Sequence, residues 1–551
     1  MEETKMKKII SIAFAAILAG LAISCQKEEA VSDKTDAVQY TFNIIVNDRA
    51  GFDNDASTKG SESHKSYWES GDRIFLFFKP TDGVLLDDTY ATLTYNGSSW
   101  DGTVTEGQSS LEEDGTLSAV YVYKLDGSVT PAYTDSKWTI ATGNTFYNCQ
   151  TGVSYTVSDS EISASLNLEA PDDFVQFFVT GATGALTCNQ VKGWKDIAIG
   201  SDMAISNVTC TGYMDGFVNS GDQNVKEYYG RIVNDGTTLK DVACNFSVVK
   251  DGKVYERTAT PASDARSFNM TVSTPDWPEA AGKLPGLFTV GKGADGTAGT
   301  ADDVQVRFSK GNLYAKNEGT AGSPAWNWHF YDEQYKYNSL STGSSRTANA
   351  NDIEIDLFTW GYDNTSTNTS YSLNPVNTTG ISGHTADGET FSSSEDWGYV
   401  FGGESSVWRT LTTAEWQYLF NNWSYPSDVR NDKYKTGVTV CGKANCVVLL
   451  PDNWDETVIS LTDFAAQNTY DENSTPKWSK MQAAGAVCLP AAGWRDGSYV
   501  YDVGTYGYYW SSTANVNDIA YYVVFSSSAV NPDYDDGRNY GYSVRLITES
   551  N

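Results

Sequence analysis

The chain has 551 residues, enough for about two to four domains. Its formal net charge is −32 at pH 7, so it repels nucleic acid and anionic membrane surfaces and carries no basic stripe to bind them. Hydrophobic residues make up 40% and aromatics 13%, sufficient apolar material for a sizeable core. The three histidines, His64, His329 and His384, are scattered, and no His/Cys cluster of the kind that holds zinc is visible.

Starting at Met6, "MKKIISIAFAAILAGLAISC" sets Lys7 and Lys8 ahead of an uncharged apolar run from Ile9 to Ile23. At 15 residues the run is shorter than the ~20 a spanning helix needs, and it fits a secretory signal. It ends in Leu21-Ala22-Ile23-Ser24-Cys25, which resembles a bacterial lipobox with Ala22 where Leu is usual. The resemblance implies a signal peptide over 1–24 and a lipid on Cys25; an ordinary cleaved signal with a chance cysteine is the alternative. The following "QKEEA" resembles the surface-export signal of Bacteroidota lipoproteins, and otherwise reads as a solvated charge cluster. Residues 25–37 are then an acidic tether. Seven cysteines remain, an odd number, so at least one is unpaired in a monomer.

From Val38 the pattern changes. "VQYTFNIIV", "DRIFLFF", "LSAVYVY" and "DDFVQFFV" are rich in strand formers, with Gly, Asn, Asp and Ser clustered between them. Residues 38–275 therefore read as an all-β region of one or two sandwiches, with a division near 165. "STPDWPEAAGKLPG" (Ser273–Gly286) bunches prolines and glycines, and places a linker with a leading strand at 276–300. In "GKGADGTAGTADDV", Asp295, Asp302 and Asp303 do not follow calcium-loop spacing, and a turn between two strands is expected.

Residues 301–551 read as an α+β domain. Eleven of the sixteen tryptophans lie beyond residue 281. "TLTTAEWQYLFNNW" predicts a helix with Thr412 as N-cap, Glu415 completing a capping box, and Trp416, Leu419, Phe420 and Trp423 on one buried face. "STPKWSKMQAAGA" predicts a second, with Thr475 as cap, Pro476 at the first position and Gly485 as stop. In "YGYYWSSTANVNDIAYYVVFSSSAV", Ile519–Phe525 predicts a strand. Tyr521, Val523 and Phe525 should face one side and Tyr522 and Val524 the other, with Trp510 plugging a core.

Two family resemblances follow. "TKGSESHKSYWESGDRIFLFF" (Thr58–Phe78) and "AVYVY" (Ala119–Tyr123) resemble the fimbrillin-like fimbrial subunits of Bacteroidota, which implies transthyretin-like sandwiches. "VQVRFSKGNLYA", "WNWHFYDEQYKYN", "DLFTWGYDN", "VWRTLTTAEWQYLF", "VVLLPDNW", "MQAAGAVCLPAAGWRDG", the Tyr506–Val530 stretch and "YGYSVRLI" resemble, in order, the Fibrobacter succinogenes major paralogous domain. That resemblance covers about 285–549 and implies a C-type-lectin-like fold related to formylglycine-generating enzyme.

The relative's chemistry uses redox cysteines or copper late in the domain, yet no cysteine follows Cys488 here. No catalytic residue, cofactor or metal is assigned, and calcium has no supporting motif. The candidate ligand or cation loop is "NPDYDDGRNYG", with Asp533, Asp535 and Asp536 as oxygen donors and Tyr534 and Tyr540 as contacts; the alternative is a solvated hairpin turning at Asp536-Gly537. The expected function is a non-enzymatic surface adhesin or fimbrial subunit, at a pilus tip, that binds a host protein or glycan. The alternatives are a glycan-capture lipoprotein of a polysaccharide-uptake system and a cryptic enzyme. Fimbrillins exchange strands after arginine-specific cleavage, which implies "VQYTFNIIVNDR" as the exchanged strand and Arg49 as the cut. The implied partners are the outer membrane, through the lipid, and other fimbrial subunits.

Overall fold

The computed structural model describes residues 40–47, 68–105, 107, 111–219, 221–234, 238–319, 326–338, 344–345, 354–362, 380–420, 433–497 and 499–550. The signal segment, the tether, Arg49, His64 and Trp423 lie outside them. The described chain is mainly β, with three short α-helices among the described residues.

The first sheet has seven strands, in the order Thr41–Val46, Glu161–Leu166, Tyr147–Ser158, Gly115–Val122, Arg73–Pro80, Tyr90–Tyr95, Trp100–Thr105. Thr41–Val46 runs parallel to Glu161–Leu166, and every other pair is antiparallel. One face buries Ile74, Leu76, Phe78, Ala119 and Tyr121. The other buries Phe75, Phe77, Val120 and Val122 against a four-stranded sheet that contains Lys137–Ala141 and Asp196–Ile199. Both faces are dry in the middle of the sheet, so "RIFLFF" is continuously apolar instead of alternating.

A second large sheet contains Phe174–Thr180, Val225–Ile232, Cys244–Lys250 and Lys253–Ala259, and Ser267–Thr271 lies parallel beside the first of these. Its core gathers Val175, Phe177, Tyr228, Val248 and Trp277. The four-stranded sheet takes strands from both sides of residue 165, so Trp138, Phe174, Ile197 and Tyr229 share one cluster.

The α+β part begins at Phe288–Gly291, which pairs with Val304–Phe308 across the predicted turn. The carboxylates in that turn cap loop amides. Asp302 Oδ2 accepts from the Ala294 and Asp295 N–H groups at 2.6 and 3.0 Å, and Asp303 accepts from Gly299 N–H at 2.7 Å. Helix Thr413–Leu419 carries the predicted capping box, and Trp416, Leu419 and Phe420 enter the core.

The second predicted helix is shorter than its sequence signals suggest. It spans Trp478–Ala483, and the side chain of its N-cap residue, Lys477, makes no capping bond. Its first amides are taken by the preceding loop instead. Trp478 N–H donates to the Asp471 carbonyl at 3.0 Å and Ser479 N–H to Glu472 Oε1 at 2.9 Å. Thr475 and Pro476 therefore stand before the helix, while Gly485 ends it at φ +103°. A third helix, Leu461–Ala466, starts at Ser460, whose hydroxyl accepts from Asp463 N–H. Its six residues are too few to print a helical period on the sequence.

Gly507–Ala514, Ile519–Phe525 and Val530–Gly537 form a three-stranded sheet buried between two cores. Tyr509, Val523 and Phe525 enter one; Trp510, Ala520 and Tyr522 enter the other. Tyr521, toward the start of the strand, is half-exposed and donates to Asp387 Oδ1 at 2.9 Å. Only glycine fits at 507, since a Cβ there would sit 2.1 Å from the Phe525 ring.

Thr412→Ala removes the hydroxyl half of the capping box and should lower the stability of this part by about 1 kcal/mol. Urea unfolding followed by tryptophan fluorescence reads the loss, and Thr412→Ser should restore most of it.

Candidate functional site

Two sites inferred from the sequence, Cys25 and Arg49, lie outside the described residues. The candidate loop is described, and it is not a loop over most of its length. Asn531 to Gly537 belong to strand Val530–Gly537, which pairs with Ile519–Phe525. The turn lies earlier, where Ser526 N–H donates to the Ala529 carbonyl. Pro532 is tolerated because the strand is an edge and the pairing is irregular between Tyr522 and Val524.

On that strand the carboxylates diverge. Asp533 Oδ2 accepts from Gln417 Nε2 at 3.3 Å, Asp535 Oδ2 from Asn515 Nδ2 at 2.7 Å, and Asp536 Oδ1 from Gly537 N–H at 2.7 Å. Among the described residues no group of three or more His, Cys, Asp or Glu side chains is placed to hold a metal. Tyr534 is 52% exposed, with its ring 5.8 Å from Tyr522. Tyr540 lies in the turn that follows, where its N–H donates to the Gly537 carbonyl.

Tyr540 leads to a feature that the sequence reading missed. Its ring meets Trp494 edge-on at 5.2 Å. Trp494 is a hub: Tyr501 stacks on it at 4.8 Å and 27°, and Tyr508 lies 6.3 Å away. Tyr499 extends the cluster from Tyr501 at 6.4 Å, and Tyr506 extends it from Tyr508 at 6.2 Å. Tyr499 and Tyr506 are 46% and 39% exposed.

The hub is built by hairpin Trp494–Asp496 and Tyr499–Tyr501, followed by a tight turn into Gly507–Ala514. In the turn Asp502 has a left-handed φ of 58°, and its carbonyl accepts from Thr505 and Tyr506 N–H groups. Its carboxylate Oδ2 accepts from Trp494 Nε1 at 2.9 Å and from the Tyr508 hydroxyl at 3.2 Å. Burial, then the Asp502 charge, raises the Tyr508 pKa, so this phenol remains a proton donor. The signal available in the sequence was aromatic density, "WRDGSYVYDVGTYGYYW", spread over three strands and the turn between the last two.

Residues 455–547, well under half of the chain, match the family model described as a domain of unknown function, DUF8237. No curated protein matches the sequence. Among solved structures, a candidate adhesin of Bacteroides ovatus is 11% identical over 46% of this chain and 98% of that one, with a TM-score of 0.22. A fimbrial protein of Bacteroides ovatus is 14% identical over 93% and 99%, and a candidate cell adhesion protein of Bacteroides fragilis is 10% identical over 55% and 100%; both have TM-scores of 0.22. Superposition at that level leaves fold and function to be argued from this chain's own residues.

Most of the described thiols are buried. Cys188, Cys244, Cys446 and Cys488 are fully buried, and burial pushes the Cys488 thiol well up. Burial also raises Cys149 and Cys210 to about 11. The His329 ring lies tilted beside Tyr314 at 5.4 Å, and His384 Nε2 sits 3.2 Å from Glu395 Oε2. Cys441, half-exposed, should therefore be the described thiol that a maleimide labels fastest in the native protein. Peptide mass spectrometry checks this, and the four fully buried thiols should react only after unfolding.

Proposed function

We propose that the chain is a cell-surface adhesin or fimbrial subunit, held to the outer membrane through Cys25 and presenting its C-terminal part to a ligand. The observation that carries this reading is the attachment of strand Thr41–Val46. It pairs with a single neighbour, Glu161–Leu166, at the margin of its sheet. Phe42, Ile44 and Val46 pack inward on the core around Leu76 and Tyr155, while Ile45 is 61% exposed. Phe42 lies directly over Gly102, where a Cβ would come within 2.1 Å of its ring.

A strand held in this way is replaceable. Its loss would free the edge of Glu161–Leu166 and an apolar channel over Gly102, to be filled by an equivalent strand of another chain. Cleavage after Arg49 would release it. The fimbrillin-like motifs, the lipobox and the acidic "QKEEA" support the same reading. The large C-terminal part favours a terminal position in a fibre, and the C-type-lectin-like resemblance makes it the ligand-binding end. No catalytic role is assigned.

Mass spectrometry of sheared surface fibres should find an N-terminus at Ala50; chains still lipidated at Cys25 within fibres would reject the exchange. Gly102→Val should displace Phe42 and loosen the strand without removing it. Hydrogen exchange over residues 41–46 should then accelerate, while exchange over Phe174–Thr180 stays unchanged.

A further inference from the structure

We propose that the aromatic face centred on Trp494 binds an uncharged glycan chain. The proposal rests on the adhesin reading, which it deepens by naming a site and a ligand class. Large rings exposed in one contiguous group mark interaction surfaces, and tyrosine and tryptophan combine an apolar face with a polar edge. Tyr499 and Tyr506 stand at the two ends of this group, and half-buried Trp494, Tyr501, Tyr508 and Tyr540 lie between them. A sugar ring has the matching character, with apolar C–H faces and hydroxyls around its rim.

The acceptors are in place beside the rings. Asp502 uses Oδ2 for Trp494 and Tyr508, and its Oδ1 takes no hydrogen bond among the described residues. Asp496 is exposed, and with Asp536 it acts electrostatically on Tyr540. The basic side chains on these segments turn inward. Arg495 donates to the Leu357 and Gly497 carbonyls, and Arg538 to the Ile381, His384, Asn515 and Ile519 carbonyls. Among the described residues of these segments the face thus offers rings and carboxylates without an exposed cation, which disfavours sulfated or uronic acid chains and suits neutral ones.

The face is also set before any ligand arrives. Gly493 N–H donates to the Tyr506 carbonyl, Gly504 N–H to the Ala491 carbonyl, and Asn445 Nδ2 to the Gly504 carbonyl at 2.8 Å. Rings fixed in this way lose little freedom on binding, which favours affinity from a small contact area.

The test is affinity electrophoresis of the purified full chain through gels containing mannan, xylan, galactan or dextran. Heparin serves as an anionic probe and polylysine as a cationic one. At least one neutral polysaccharide should retard the protein. The Tyr499→Ala/Tyr506→Ala double variant and Asp502→Asn should each weaken that binding at least about tenfold, the loss expected for anchoring contacts. Val84→Ala, a change at a 75% exposed residue of the first sheet region, should leave it unchanged. Melting curves confirm that each variant is folded. Retardation by no neutral polysaccharide, or equal binding by the double variant, would each overturn the proposal. Fibre incorporation of the double variant is scored separately. Fibres with Ala50 termini and no glycan binding would sink the glycan site alone, whereas glycan binding without fibres would sink the fimbrial reading alone.

Discussion

Strands Gly507–Ala514 and Ile519–Phe525 have almost no wet face, and the C-terminal part is organised by that constraint. Tyr509 and Trp510 are neighbours in sequence but enter different cores, as strand geometry requires. One core is closed by helix Thr413–Leu419 and strand Val304–Phe308, the other by Phe358, Trp360 and Trp397. Burying a sheet on both sides leaves its margins as the places where side chains reach water. Trp494, Tyr508 and Tyr540 lie at such a margin, packed against the second core and open on the other side. The proposed glycan face is thus the edge of a dry interior, which explains how so many rings can be held in place and still be reached by a ligand.

Dryness on both sides makes the buried arginines conspicuous. Arg307, Arg495, Arg538 and Arg545 are each at most 2% exposed, and they donate to backbone carbonyls and to side-chain amide oxygens. Desolvation lowers Arg307 and Arg545 to about 10, so both remain charged at neutral pH. Burying a cation is costly. What the guanidinium provides is a fork of donors that reaches several strands at once. Arg545 joins Asn312, Gln334 and Cys488, and Gln334 itself accepts from Cys488 N–H and donates to the Ala486 carbonyl. Segments far apart in sequence are thereby fixed in register where the irregular loops have no ladder to align them.

The sequence was most legible where one physical signal acted alone. The Thr412–Glu415 capping box is a local device, and it appears as read. Strand Ile519–Phe525 was readable because β-branched and aromatic residues make up all of it but Ala520. Legibility failed where two signals competed. "NPDYDD" has the composition of a loop, but its backbone is recruited as an edge strand, where exposed carboxylates are tolerated and Pro532 finds an irregularity. Thr475 and Pro476 looked like a helix start, yet Asp471 and Glu472 supply the acceptors that a cap would have offered. The Trp494 face was least visible, because its rings come from a hairpin, a turn and a distant turn that only tertiary structure joins.

The two proposed activities are physically separable. The exchangeable strand contributes Phe42, Ile44 and Val46 to one cluster, on the first sheet. The C-terminal part instead docks on the second-sheet region. Gln305 Nε2 donates to the Thr211 carbonyl at 2.7 Å, Lys283 pairs with Glu256 at 2.7 Å, and Leu287 packs with Ala185 and Tyr213. Between these regions lies the shared cluster of Trp138, Phe174 and Tyr229, which contains no residue of Thr41–Val46. Exchanging the strand therefore perturbs the far face of the first sheet and leaves the docking contacts and the Trp494 face packed as they are. A chain cleaved and refilled at one end, as proposed, would keep unchanged what it recognises at the other.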